Sequence, residues 1–130
     1  TSGSVRVKAS NGRSTRLKRL HSPDVYDLEN YQPENLEMFG FLLQAMVGPE
    51  GKEGEESFDI EVCTPRWLEE TYGIDEVVIC RHHLIVRGYN YQRIVGAIKD
   101  FLRDCSGENW NEVAKKVSRL GKWEFEDYVE

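Results

Sequence analysis

The run EMFGFLLQAMV, residues 37–47, sets Phe39, Phe41, Leu43, Ala45 and Val47 at strict two-residue spacing. That period lines up one face of an extended chain and scatters around a helix, so the run reads as a long central strand. A second alternation follows in SFDIEVC, with Phe58, Ile60 and Val62 toward a core and Asp59, Glu61 and Cys63 on the other side. Between them lies GPEGKEGEE, an acidic and glycine-rich turn, so the two runs form a hairpin with a long connection.

Two further strands are expected. RLKRLHS, residues 16–22, alternates with Leu17, Arg19 and His21 on one face and Lys18 and Leu20 on the other. EVVICRHHLIV, residues 76–86, is a strand candidate with a break near Arg81. SPDVYDLENYQPEN, with prolines at 23 and 33, reads as loop. Helical signals take over later in the chain. In TPRWLEETYG, Thr64 suits an N-cap, Pro65 the first helical position and Gly73 a left-handed C-cap, predicting a short helix from Pro65 to Tyr72. YQRIVGAIKDFLRDC carries one apolar stripe through Tyr91, Ile94, Val95, Ile98, Phe101, Leu102 and Cys105. NWNEVAKKVSRL repeats the pattern with Trp110, Val113, Ala114, Val117 and Leu120, opened by Asn109 and Glu112 in capping-box spacing and closed by Gly121.

Strands followed by helices, without a strand–helix–strand rhythm, predict an α+β fold: an antiparallel sheet of about four strands with helices packed on one face, two of them C-terminal. Trp110, Ile94, Ile98 and Phe101 are then expected to be largely buried. The other sheet face stays uncovered, and Asp59 and Glu61 look out from it or from a rim.

A length of 130 residues suits one domain, placed at 16–130. Residues 1–15 have the small, polar, basic composition of a flexible arm or an expression remnant. The net charge of −6 hides a split. Residues 1–22 hold six bases and no acid, whereas the rest holds 11 bases against 23 acids, which is −12. Such a body disfavours nucleic acid and anionic membrane and favours a cationic partner. No stretch approaches a membrane span and no signal peptide opens the chain, so a cytoplasmic protein is expected. Cys63, Cys80 and Cys105 are too few and too scattered for a disulfide framework or a structural zinc site.

CRHH, residues 80–83, is the one stretch that suggests chemistry. Cys80 and His82 share a strand face, but zinc needs three or four ligands, and His83 points the other way. A small metal- or cysteine-dependent enzyme built on Cys80, His82 and His83 is the alternative reading, and a nucleic-acid binder using the basic arm is a third. No phosphate-binding glycine loop, HExxH or Gly-x-Ser-x-Gly elbow occurs. The expectation is no catalytic residue, no metal and no cofactor. What remains is surface. Trp67 shares its helix with Glu69 and Glu70, and GKWEFEDYVE mixes Trp123, Phe125 and Tyr128 with acids. Trp123 and Phe125 are expected to pin this segment. Asp59, Glu61, Glu69, Glu70, Glu124, Glu126 and Asp127 are the candidate partner-binding residues, since carboxylates beside aromatics suit a basic partner.

LKRLHSPDV (17–25), FDIEVCTPRWLEETYG (58–73), RHHLIV (81–86) and NWNEVAKKVSRLGKWEFEDY (109–128), in this order, resemble the immunity protein eight family of bacterial polymorphic toxin systems. The resemblance runs over about residues 16–128 and leaves 1–15 without a counterpart. It implies an α+β fold, no catalysis and a cognate toxin domain as partner, including toxins of contact-dependent growth inhibition. A small acidic inhibitor suits a basic toxin, and many such toxins are nucleases with positive clefts. The expected partner is therefore a basic toxin domain, the C-terminal part of a large secreted or surface protein. The family pattern offers no catalytic residue to carry over.

Overall fold

The computed structural model describes residues 15–125, so the basic stretch before Thr15 lies outside the described residues. In chain order the elements are β1 (Thr15–His21), β2 (Gly40–Pro49), β3 (Glu56–Cys63), α1 (Pro65–Thr71), β4 (His83–Ile85), α2 (Tyr91–Arg103), α3 (Trp110–Val117) and β5 (Lys122–Trp123). The α+β class is as the alternation and the two late stripes predict.

β2 and β3 form the predicted antiparallel hairpin, in register from Gly40↔Cys63 to Val47↔Glu56. β1 flanks β2 antiparallel. The second edge of β3 is shared: β5 pairs antiparallel with Phe58 and Asp59, and β4 pairs parallel with Glu61, Val62 and Cys63. The sheet is therefore mixed. A parallel neighbour needs a crossover connection, and α1 with the segment up to His82 supplies it.

β1 differs from its expected alternation. Its register steps from Leu17↔Val47 to Arg19↔Met46, which leaves Lys18 as the extra residue of a bulge. Leu17 and Leu20 consequently both pack against the core, while Arg19 and His21 are exposed. The bulged residue is put to use: Lys18 Nζ donates to the Lys52 carbonyl at 2.5 Å, beside an Arg19–Glu55 ion pair at 2.7 Å. Both contacts fasten β1 to the β2–β3 turn.

The core lies between the sheet and two helices. Phe41, Leu43, Ala45 and Val47 from β2 meet Phe58, Ile60 and Val62 from β3, capped by Ile94, Ile98 and Leu102 of α2 and Val113, Ala114 and Val117 of α3. α3 starts on its expected cap, Asn109 accepting Glu112 N at 3.0 Å, and α2 starts on one that the sequence analysis did not single out, the Asn90 side chain accepting Arg93 N at 3.1 Å. The return contact of the predicted capping box falls one residue earlier, because Glu112 accepts from Glu108 N. Phe101 corrects the burial expectation. It sits at the margin of the α2 stripe, one position before buried Leu102, and is 37% exposed. Trp110 is half-buried, for its indole reaches out of the core to Glu56 at 2.8 Å.

α1 does not join α2 and α3. Gly40 faces away from Phe39 and Phe41, and a Cβ there would lie 2.4 Å from the Trp67 ring. The missing side chain lets Trp67 lie on the opposite sheet face, so α1 covers one end of it. Thr64 caps the helix by accepting Trp67 N at 3.2 Å, but the helix ends on an extended Tyr72 and not on a left-handed Gly73. The 76–86 strand expectation holds only for its last third. Residues 74–81 are exposed and irregular, and His82 adopts a φ of 61° immediately before β4.

Ile98 is fully buried and Phe101 is not. Ile98→Ala should cost about 2–5 kcal/mol in urea unfolding. Phe101→Ala should cost less than half as much, and equal losses would place the α2 stripe wrongly.

Candidate functional site

Strand alternation turns Leu42, Gln44 and Met46 of β2, Ser57, Asp59 and Glu61 of β3, and His83 and Ile85 of β4 away from α2 and α3. This face is the candidate site. On it, Asp59 Oδ1 accepts from Gln44 Nε2 at 3.3 Å and from Ser57 Oγ at 3.2 Å, which fixes the carboxylate in place. Glu61 stands opposite His83 across the β3–β4 pair. Partial burial raises the Glu61 carboxyl above its ordinary range, the His83 charge opposes that rise, and Asp24 adds to it. Asp24 itself leaves the end of β1 and accepts Leu42 N at 2.9 Å, standing in for a strand neighbour.

The seven residues expected from the sequence do not form one cluster. Asp59 and Glu61 lie side by side along β3. Glu124 sits at the strand's start, where its Oε1 accepts Ser57 N at 2.7 Å. Glu69 and Glu70 are exposed on α1, past the other end of β3. Five carboxylates are thus strung along one strand and its continuation. Glu126 and Asp127 lie outside the described residues. Trp123 stacks on buried Phe58 at 6.3 Å, the contact expected of an anchor, whereas Phe125 meets Trp123 edge-on at 5.9 Å within the same segment and is exposed. Asp24 was missed by sequence reasoning. Its only signal is the SPD turn, in which Ser22 Oγ accepts from Asp24 N and Val25 N at 3.1 Å each.

CRHH is divided among three tasks. Cys80 is exposed. His82 is half-buried and its Nε2–H donates to the Ser118 carbonyl at 2.8 Å, capping the end of α3. His83 uses Nδ1 on the Arg81 carbonyl at 2.6 Å. Among the described residues no group of three or more His, Cys, Asp or Glu is arranged to hold a metal ion, and no helix is long and apolar enough to cross a membrane. Burial pushes the Cys63 thiol up to about 11, with Glu61 and Cys80 adding, and raises Cys105 for the same first reason.

Among the described residues, this sheet face is covered only where α1 packs on one end of it, and it carries Asp59 and Glu61 among half-buried Leu42 and Met46. The chain matches the immunity protein 8 family over residues 15–128. It belongs to that family of immunity proteins of bacterial toxin systems. No curated protein and no solved structure matches it.

Two measurements follow from these environments. The raised Glu61 value means that the folded chain holds this proton more tightly than the unfolded chain. Its stabilising contribution is complete below about pH 4.3, the ordinary glutamate value, and is lost as pH rises through the raised value. Glu61→Gln should therefore raise the thermal midpoint at neutral pH and flatten its fall between acid and neutral pH. An unchanged profile would contradict the burial of this carboxyl. With Cys63 and Cys105 buried and their thiols raised, a thiol reagent should modify only Cys80 rapidly in the native protein at neutral pH. Rapid modification of a second thiol would show that the core opens.

Proposed function

We propose that this chain neutralises a cognate toxin domain by seating a basic surface of the toxin on the carboxylate row along β3. The observation that carries the proposal is the state of Glu61. It is held partly desolvated beside Asp24 and Asp59, with only His83 opposite to offset it, on a face that among the described residues α1 covers at one end alone, and an ionised carboxylate there is a cost that an incoming Lys or Arg relieves. Leu42, Met46 and exposed Ile85 give the same face apolar area, and Glu69, Glu70 and Glu124 extend its negative field beyond both ends of β3. Glu126 and Asp127 continue that acidic sequence.

The balance of −12 outside the first 22 residues supports a basic partner and fast, steered association. A nuclease, whose cleft must attract phosphate, is the toxin chemistry that suits such an inhibitor. On this reading the partner is the C-terminal domain of a large secreted or surface toxin, including those of contact-dependent growth inhibition. Protection takes place in the cytoplasm by occupancy and requires neither catalysis nor cofactor.

The test is co-expression with the toxin domain encoded beside this gene, followed by binding kinetics. Asp59→Asn with Glu61→Gln should slow association on the order of tenfold at low salt and flatten its salt dependence. If either carboxylate forms a desolvated pair, dissociation also speeds up. The pair Glu69→Gln and Glu70→Gln should change association alone. Unaltered kinetics in a folded Asp59/Glu61 double variant would place the interface elsewhere.

A further inference from the structure

We propose that the cleft between β4 and α2 binds a small carboxylate carried on an aliphatic tail. The first support is the cleft itself. It has a volume of about 430 Å³, inside the range of about 300–1,000 Å³ typical of small-molecule sites. Its apolar walls are Leu84 of β4 and Val86 just after it, with Ile94 and Ala97 of α2, three residues apart and so on one side of that helix. Small residues leave it open. Ala97 contributes a single methyl group, and a Cβ added at Gly88 would meet nothing within 4 Å among the described residues.

The second support is charge. Residues 82–99 hold Arg87, Arg93 and Lys99 and no acid, inside a body that is otherwise strongly negative. Arg87, past the end of β4, and Arg93, in the first turn of α2, both line the cleft, and among the described residues no acid lines it. Arg19 and Arg103 are paired with Glu55 and Asp100, whereas neither the Arg87 nor the Arg93 side chain has a hydrogen bond or ion pair among the described residues. Two unpaired cations beside an apolar cleft match a ligand that is anionic at one end only. A guanidinium takes a carboxylate through two parallel N–H donors, and the apolar walls take the tail.

Charge also selects among occupants. A basic toxin surface would be repelled by Arg87 and Arg93. The described chain begins at Thr15 after a basic stretch, and it leaves β5 toward Ser57, away from β4. The occupant is therefore taken from outside the chain. The negative body opposes any anion, so the apolar walls have to supply part of the affinity, which sets a tailed carboxylate above a bare ion.

The test uses the full chain alone. Decanoate titrated into isotope-labelled protein should shift the amide signals of Leu84, Val86, Arg87, Ile94 and Ala97 and saturate. Arg87→Gln with Arg93→Gln should weaken decanoate on the order of tenfold at an unchanged thermal midpoint. Ala97→Phe, which fills the cleft, should abolish the shifts. Decylammonium should bind more weakly than decanoate, and acetate should not bind measurably. The absence of a saturable shift at these residues overturns the proposal, as does undiminished decanoate binding by the folded Arg87/Arg93 double variant. Equal binding of decylammonium overturns it by showing a cleft that selects only for apolar surface, and equal binding of acetate by showing an anion site that does not use the tail. The comparison of probes needs no substitution, so it decides even where the double variant fails to fold.

Discussion

β3 is hydrogen-bonded along both edges, and the positions of the other elements follow from how that pairing is divided. β2 occupies one edge from Glu56 to Cys63. The other is split end to end between β5, at Phe58 and Asp59, and β4, at Glu61 to Cys63. Core side chains on even positions of β3 receive α2 and α3, and the odd positions 59 and 61 carry half-buried acids. The one strand thus fixes the inner packing and the outer chemistry together. A one-residue slip in its register would exchange the two faces.

The start of β3 is held by an arrangement that turns a charge inward without leaving it unpaired. Glu56 shares the even-numbered face with Phe58, and its Oε1 accepts both the Trp110 indole at 2.8 Å and the Trp123 indole at 2.7 Å. Hydrogen bonds to a charged acceptor contribute about 1.5–3 kcal/mol each. Here they join α3, β5 and β3 at one atom. Gly121 completes the joint: a Cβ there would lie 2.9 Å from Ile60, so only a residue without one lets the chain pass this close to β3. The aromatic and acidic run after Gly121 is accordingly a clasp and a surface at once, with Trp123 inward and Glu124 on the Ser57 amide.

What could be read from the sequence was what depends on near neighbours. β2, β3, α2 and the start of α3 follow from alternation, a helical stripe and the Asn109 cap, all within a few residues. The β1 bulge was hidden because pairing with β2, and not the β1 sequence, forces Lys18 out of step. The shortness of β4 was hidden for a similar reason. In the β3–β4 register Cys80 and Arg81 would need Phe58 and Asp59, which β5 already takes, so the strand does not reach back to 77–79. Among the candidate residues, the placement of Asp59 and Glu61 was visible because strand parity alone turns them away from the core. Asp24 was not, since its place comes from a contact with Leu42 across 18 residues. The two bonds at Glu56 span 54 and 67 residues, beyond any local pattern.

The pairing of β5 with β3 also has a consequence in time. During synthesis β1, β2 and β3 leave the ribosome well before residues 122–123 do, so the hairpin can form while half of the second β3 edge has no neighbour. Until β5 arrives, Phe58 lacks its stacking partner and Glu56 holds a carboxylate with neither indole in place. Closing so long a loop is slow compared with forming local structure, and an unpaired edge is where chains associate wrongly. The nascent domain therefore passes through an interval in which its most consequential strand is half finished, and the last described element is the one that ends it.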